Sequence, residues 1–277
     1  MARREVPDTW GIGEPYEAYV GRWSRRVAPR FLDWLGAPPG RRWLDVGCGT
    51  GALCASIIAR CAPASVTGVD PSEGFLACAH ANLGERAVLV GGSATALPLA
   101  DASVDVVVSG LVLNFIADAA AALAEMRRVM RPGSSMVGAY VWDYGGGMEL
   151  MRHFWDAAIE LDPAAKNLDE GVRFPLCRPE VLIDLFTAAR FEQVRTTAIE
   201  VPTTFANFDA YWQPFLGGQG PAPAYAMSLD EAARERLRER VRSKLRSGPN
   251  GAIPLTARAW AVRAKLEPGR SGEARQR

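Results

Sequence analysis

From Trp43 to Ala52 the chain reads WLDVGCGTGA: an apolar run, one carboxylate, then glycine at every second position. Gly47, Gly49 and Gly51 lack Cβ atoms, so the backbone there is free to take positive φ and to lie close against a ligand. A helix starting directly afterwards turns its unpaired N–H groups toward the same place. Asp45, two residues before the first glycine, accepts hydrogen bonds or faces a cation, and it would repel a pyrophosphate. GCGTGA can be forced into the dinucleotide fingerprint G-x-G-x-x-G/A with Ala52 in the last place. The G-x-G-x-G spacing behind an acid instead favours a ligand bearing an ammonium or sulfonium group. A second acid, Asp70 in VTGVDPS, stands where a carboxylate hydrogen-bonds ribose hydroxyls in nucleotide-binding units. Asn114, Asp143, His153 and Tyr16 are the candidates for a base, where the reaction needs one.

Rigid elements must hold these groups. RRWLDVG reads as a short strand running into the glycines, and ALCASIIARC as a helix with Leu53, Ile57 and Ile58 on one face. SVTGVD is a second strand closed by Pro71 and Ser72, EGFLACAHANL a helix, and AVLVGG a third strand. VDVVVSGLVLNFI is a long apolar run, expected to be one strand buried on both faces at the centre of a parallel sheet. DAAAALAEMRRVM carries a helical stripe stopped by Arg131, Pro132 and Gly133, and SSMVGAYVW is the fifth strand. Such alternation implies an α/β fold: a doubly wound, Rossmann-like, mostly parallel seven-stranded sheet with an antiparallel last strand and helical cap insertions. Residues 148–161 and 179–190 read as helices, FEQVRTTAIEV as a strand and IPLTARAWAVRAKL as the final strand. SLDEAARERLRERVRSKL reads as a charged helix opened by a capping box of Ser228 and Glu231. The expected division is an N-terminal helical cap over 1–40, the ligand-binding core over 41–147, the rest of the sheet with cap insertions over 148–266, and a disordered tail over 267–277.

With 277 residues, 48% hydrophobic, the chain can bury a substantial core. A formal net charge of +1 supplies no global field to hold nucleic acid or an anionic membrane, so neither is an expected partner. No apolar stretch reaches the ~20 residues that span a bilayer, and MARREVPDTWGIG has no apolar core typical of a secretory signal. Five cysteines with no C-x-x-C pair, beside only two histidines, fit free thiols in a reducing cytoplasm and no metal site. Nothing in the sequence sets the oligomeric state.

LDVGCGTG resembles motif I of the class I S-adenosylmethionine-dependent methyltransferases, of the small-molecule, methyltransferase-11-like type. GGSATALPLADASVDVVVSGLVLNFIAD resembles the next two motifs of that family, and EMRRVMRPGSSMVGAYVW its next helix, turn and strand; the likeness covers residues 43–143. It implies S-adenosyl-L-methionine as cofactor, leaving as S-adenosyl-L-homocysteine. It places the methionine moiety against Asp45, Gly47, Cys48, Gly49 and Gly51, and the ribose on Asp70, with Pro71 beside it. Adenine falls by Ser93 and Ala94; the family usually has an acid where Ser93 stands, and a hydroxyl is the weaker acceptor. Gly110 and Leu111 reach the methionine end with backbone carbonyls. Tyr16, Tyr19 and Arg22 match an N-terminal helix that closes over the cofactor in many relatives, Arg22 being a partner for its carboxylate.

The resemblance implies methyl transfer by in-line displacement, where alignment alone supplies much of the acceleration. No N/D-P-P-Y/F/W sequence follows the fourth strand, which turns the acceptor away from nucleic-acid bases and toward a small organic molecule. Trp142, Phe154, Trp155, Tyr211, Trp212 and Phe215 lie in the aromatic-rich segments expected to cap the cleft, so an apolar or aromatic acceptor is expected. Two other readings stay open at this point: an NAD-dependent oxidoreductase on the same topology, and a non-catalytic protein that binds S-adenosylmethionine.

Overall fold

The structure, a computed structural model, describes residues 22–217 and 220–266, and of Arg22 the backbone only. Tyr16, Tyr19, the side chain of Arg22 and the tail 267–277 therefore lie outside the described residues. Helix α1 (Arg22–Leu35) precedes five strands alternating with helices: β1 (Arg42–Val46), α2 (Ala52–Arg60), β2 (Ser65–Asp70), α3 (Glu73–Leu83), β3 (Val88–Gly91), β4 (Val106–Gly110), α4 (Ala119–Val129) and β5 (Met136–Trp142). There follow α5 (Glu149–Leu161), α6 (Glu170–Arg173), α7 (Pro179–Ala188), β6 (Phe191–Pro202), α8 (Phe208–Trp212), α9 (Pro221–Ser228), α10 (Glu231–Lys244) and β7 (Thr256–Leu266).

The strands form one seven-stranded sheet in the order β3-β2-β1-β4-β5-β7-β6. Strands β1 to β5 pair in parallel, Leu44 lying opposite Thr67 on one side and Val107 on the other. The last strand in sequence runs the other way. Asp143 N–H donates to Arg258 O and Leu266 N–H to Ser135 O, so residue numbers fall along β7 as they rise along β5. Phe205 and Ile253 exchange N–H···O bonds, and Thr203 N–H donates to Leu255 O, the same antiparallel sense. Chain order reverses between β1 and β4, so ligands are expected beyond the carboxyl ends of those two strands.

Two local expectations change. The fourth strand stops at Gly110 instead of running on to Ile116, because Leu111 takes φ +64 and a 3₁₀ turn, Leu113–Phe115, follows. The hydrophobic run is continuous, but its second half is turn. Helix α10 is capped by Asp230, whose carboxylate accepts from Ala233 N–H at 2.7 Å, and not by Ser228. Ser228 belongs to the last turn of α9 and donates its hydroxyl to Tyr225 O at 2.8 Å.

The chain makes two compact units. One holds the described residues up to Val27, Trp142–Arg178 and those of Ala198–Trp260; the other holds Ala28–Val141, Pro179–Thr197 and the described residues from Ala261. Both units are discontinuous in sequence, whereas the sequence reading cuts the chain into consecutive pieces at 40 and 147. The unit with β1 to β4 has a core of Trp43, Leu44, Val107 and Val108, all buried. Gly138 lets Phe31 and Leu35 of α1 lie on β5, since a Cβ there would stand 2.9 Å from Phe31 Cζ.

The core of the other unit is aromatic. Phe154 stacks on Phe215 at 4.5 Å and meets Trp155 edge-on at 5.3 Å, and Tyr211 packs on Phe215 at 5.5 Å. Tyr211 donates its hydroxyl to Leu150 O at 2.7 Å, which satisfies its polar end in the dry interior. Trp142, Phe154, Trp155, Tyr211, Trp212 and Phe215 are all buried. Phe154, Trp155, Tyr211, Trp212 and Phe215 are in ring contact within the group, so these five pack a core instead of standing free as an acceptor lining; Trp142 is buried with no ring contact to them.

Candidate functional site

The glycine loop is built almost wholly from backbone. The N–H groups of Gly47 and Cys48 both donate to Val69 O, at 2.8 and 3.1 Å, which hangs the end of β1 on β2. Asp70, the last residue of β2, spans the gap: its Oδ2 accepts from Gly49 N–H and its Oδ1 from Ser72 N–H, each at 2.9 Å. One carboxylate thus pins both the loop and the start of α3. The three glycines do different work, although all have positive φ. A Cβ on Gly47 would stand 2.5 Å from Val112, and one on Gly51 2.7 Å from Leu83, so these two let the loop pack. A Cβ on Gly49 would meet nothing within 4 Å. Gly49 is the residue that faces open space.

Asp45 lies beneath the loop, 1% exposed. Cys54 donates its thiol to Oδ2 at 3.2 Å, and Oδ1 has no partner among the described residues. Burial holds this carboxyl up to about 7, the Cys54 hydrogen bond opposing and the charge of Asp70 adding to the rise. An unpaired buried carboxylate oxygen is costly, and a cationic ligand is the group that relieves it. Cys48 packs its thiol over Gly68, where a Cβ would come within 2.8 Å.

At the end of β4, Ser109 donates its hydroxyl to Val46 O at 2.9 Å, joining the two strands that flank the reversal. Leu111 holds φ +64, a strained conformation for a branched side chain, and its N–H donates to Tyr140 O at 2.7 Å. A Cβ on Gly110 would stand 2.6 Å from the Tyr140 hydroxyl, so β4 and β5 close tightly there. Ser93 and Ala94 follow β3 in the same unit; the Ser93 hydroxyl is exposed, with Thr95 Oγ1 at 2.9 Å. Pro71 is exposed directly after Asp70.

The base candidates are scattered. Asn114 sits in the 3₁₀ turn behind β4, in the unit that holds the glycine loop. Asp143 and His153 belong to the other unit. Arg258 grips the Asp143 carboxylate through Nε and Nη2, both at 2.7 Å, and Gly146 N–H donates to it at 2.9 Å. Asp143 is thereby committed to a structural pair. His153 is half-buried on α5, and burial pushes its pKa down against the opposing charges of Glu149 and Asp156. Among the described residues no group of three or more His, Cys, Asp or Glu is placed to hold a metal ion. No helix among them is long and apolar enough to cross a membrane.

Residues 44–138 match the family described as methyltransferase domain. A demethylmenaquinone methyltransferase of Beutenbergia cavernae is 41% identical over 106 residues, 38% of this chain and 43% of the relative. A malonyl-[acyl-carrier protein] O-methyltransferase of Serratia marcescens is 38% identical over 110 residues, 40% of this chain and 42% of the relative. Residues 44–138 are a class I S-adenosylmethionine-dependent methyltransferase domain. The fold agrees over a longer span: phosphoethanolamine N-methyltransferase 2 of Haemonchus contortus aligns with 91% of this chain and 56% of its own at a TM-score of 0.56 and 17% identity. The chain spans half or less of the length of the curated relatives it matches, from 30% to 50%.

The residues of the methyltransferase domain fit S-adenosylmethionine. Asp45 offers an oxygen without a partner and without a neighbouring cation, Gly49 leaves its side-chain direction empty, and each Asp70 oxygen keeps a lone pair beyond its one N–H. Sequence reasoning missed one residue that shapes the loop and one buried carboxyl away from it. Cys54, the donor that fixes Asp45, carries no motif signal on its apolar helix. Glu170, in the other unit, is a buried carboxyl held up to about 7 by burial and hydrogen-bonded by Trp155 Nε1. Its neighbour Asp169 is paired with Arg152 at 2.8 Å; nothing in NLDEGVRF separates the two roles.

Proposed function

We propose that this chain binds S-adenosylmethionine on its methyltransferase domain and transfers the methyl group to a small organic acceptor. One observation carries the reading: Asp70 ties the Gly49 N–H to the end of β2 at 2.9 Å, while the space beyond Gly49 stays clear. In this reading the ribose hydroxyls bond to Asp70, and Pro71 limits the approach. Asp45, Gly47, Cys48 and Gly49 bear the methionine end, with Gly51 shaping the loop. Ser93 and Ala94 flank adenine, and Gly110 and Leu111 direct backbone carbonyls at the methionine end. The cofactor, when bound, supplies a methyl group already activated on a sulfonium.

The chain's own task is then alignment and exclusion of water, to which proximity contributes ~7–11 kcal/mol without a dedicated base. In this reading Asn114, in the 3₁₀ turn that follows β4, orients the acceptor. The relatives named above act on a malonyl-acyl-carrier protein and on demethylmenaquinone, and the fold neighbour was crystallised with phosphomonomethylethanolamine and S-adenosylhomocysteine. Acceptors so unlike support a common cofactor half and leave acceptor choice to the rest of each chain. In this chain SGLVLNF stands where base-methylating relatives carry N/D-P-P-Y/F/W, which supports a small-molecule acceptor.

Titration calorimetry with S-adenosylmethionine, S-adenosylhomocysteine and NADH tests the first half. Micromolar binding of the first two with none of the third is the expected result, and uptake of NADH alone would overturn it. Turnover against a panel of small carboxylates, phenols and amines tests the second half. Binding of S-adenosylmethionine without methylation of any acceptor would leave only a binding module.

A further inference from the structure

Cys54, in the first turn of α2, is wholly buried, and its thiol donates to Asp45 Oδ2 at 3.2 Å. Its backbone N–H bonds the same carboxyl. Opposite Asp45 in the sheet register stand Gly68 of β2 and Val108 of β4, neither with a polar side chain. The missing side chain at Gly68 leaves room for the Cys48 thiol, which in turn hydrogen-bonds Cys54. The charged group that bears on Asp45 is Asp70, from the end of β2. Burial and the Asp70 charge push the Asp45 carboxyl up, and Cys54 supplies the pull toward the ionised form. The Cys48 hydrogen bond, burial and the Asp45 charge raise the Cys54 thiol well above its ordinary value, so it stays a donor wherever Asp45 titrates. Any small apolar side chain would fill this place in an apolar helix. Packing gives no reason for a donor aimed at one carboxylate oxygen while the other has no partner.

We propose that Cys54 is a positioning residue for cofactor binding: its thiol holds Oδ2 of Asp45 and leaves Oδ1 of the ionised carboxylate to the cationic end of the cofactor. With one oxygen held, the ligand meets an acceptor already in place and loses less affinity to ordering it. The inference rests on the methyl-transfer reading, which puts the methionine end of S-adenosylmethionine against Asp45. It adds that affinity depends on a side chain acting through Asp45, without contact of its own with the cofactor.

Cys54→Ala and Cys54→Ser test it, because both lose the bulk of the sulfur and only the second keeps a side-chain donor. Two readouts are taken on the full chain: the carboxyl carbon-13 shift of Asp45 against pH without ligand, and S-adenosylmethionine affinity by calorimetry at pH 6 and pH 7.5. The ligand-free midpoint of Asp45, about 7 in the unsubstituted chain, is expected to rise in Cys54→Ala and to return toward about 7 in Cys54→Ser. With the proton affinity of Asp45 raised about tenfold, Cys54→Ala should bind the cofactor about ninefold more weakly at pH 6 and about threefold more weakly at pH 7.5. Cys54→Ser should stay within about twofold of the unsubstituted chain at both. A merely structural role would weaken binding by one factor at both pH values. An Asp45 midpoint unmoved in Cys54→Ala, an equal loss at the two pH values, or Cys54→Ser no better than Cys54→Ala would each overturn the proposal. No uptake of S-adenosylmethionine by the unsubstituted chain would overturn the methyl-transfer reading and the proposal with it. The ligand-free midpoint does not depend on that reading, so the two failures are told apart.

Discussion

Asp45 stands one residue before the end of β1 and Asp143 one residue past the end of β5, and both are buried. Their surroundings differ. Asp143 is met by the Arg258 guanidinium and a backbone N–H, so its charge is neutralised inside the fold. Asp45 has a thiol on one oxygen and nothing on the other. Paired, a buried carboxylate is a structural device whose loss leaves an uncompensated partner. Unpaired, it is a standing cost that a bound cation can remove. The comparison teaches that charge balance separates the two roles where burial and position at a strand end do not.

The comparison predicts that changes at the glycine loop act on ligand affinity and changes at the Asp143 pair act on stability. Gly49→Val should have the largest effect, at least about a thousandfold loss of S-adenosylmethionine affinity, because its side chain enters the space left open there. Gly49→Ala is the control. It carries the cost of a Cβ at φ +53, roughly 1–2 kcal/mol, with little of the bulk. Calorimetry on both, with circular dichroism to confirm folding, separates bulk from strain; equal binding in Gly49→Val would move the ligand off the loop.

Asp70→Ala comes next, at about a hundredfold in affinity, since two charge-assisted hydrogen bonds at ~1.5 kcal/mol each are lost with the loop's anchor. Hydrogen exchange at the Gly49 and Ser72 amides should quicken in the same variant, reporting the anchor independently of the ligand. Arg258→Ala should act the other way round. Asp143 would stay buried with one N–H donor, and the folded state should lose about 2 kcal/mol in urea unfolding. That is less than the ~3–5 kcal/mol of a fully buried pair because the Arg258 side chain is 32% exposed. Cofactor affinity should stay within about twofold. A variant that binds weakly but unfolds normally would dissolve the contrast.

Backbone-built features were legible in the sequence because glycine spacing and strand-helix alternation follow from local chemistry. EGFLACAHANL is helix α3 residue for residue, and SVTGVD is β2. VVVSGLVLNF was not, because hydropathy carries no sign of the left-handed turn at Leu111, which is set by the Tyr140 carbonyl 29 positions later. Phe154, Trp155 and Tyr211 misled for a related reason. Aromatic residues suit a ligand wall and a core equally well, and only their mutual contacts decide. The capping of α10 turned on whether Ser228 was already inside a helix. For the site, Asp45 and Asp70 were legible by position. Their difference in partners was not, since it depends on Cys54, Gly49 and Ser72 arriving from separate elements.

The smallest expected effect is the most specific to Asp45. Its folded value of about 7 stands above the ordinary 3.8, so between those values the folded state holds the extra proton and stability falls as pH rises from about 4 to about 7. A ligand cation beside the carboxylate favours the ionised form and lowers that value. Below pH 7, binding must then expel the proton, and affinity should rise toward neutrality by at most about tenfold per pH unit before levelling. Between pH 6 and pH 7.5 roughly tenfold is expected, a window kept below the ~7.7–8.0 of the ligand's own α-amino group. Calorimetry in buffers of different ionisation heat should count about 0.9 proton released at pH 6 and about a quarter of a proton at pH 7.5. Asp45→Asn should flatten both the affinity slope and the proton count while keeping the loop folded. An affinity that falls over the same window would mean that the cation lies elsewhere, and the contrast with Asp143 would rest on packing alone.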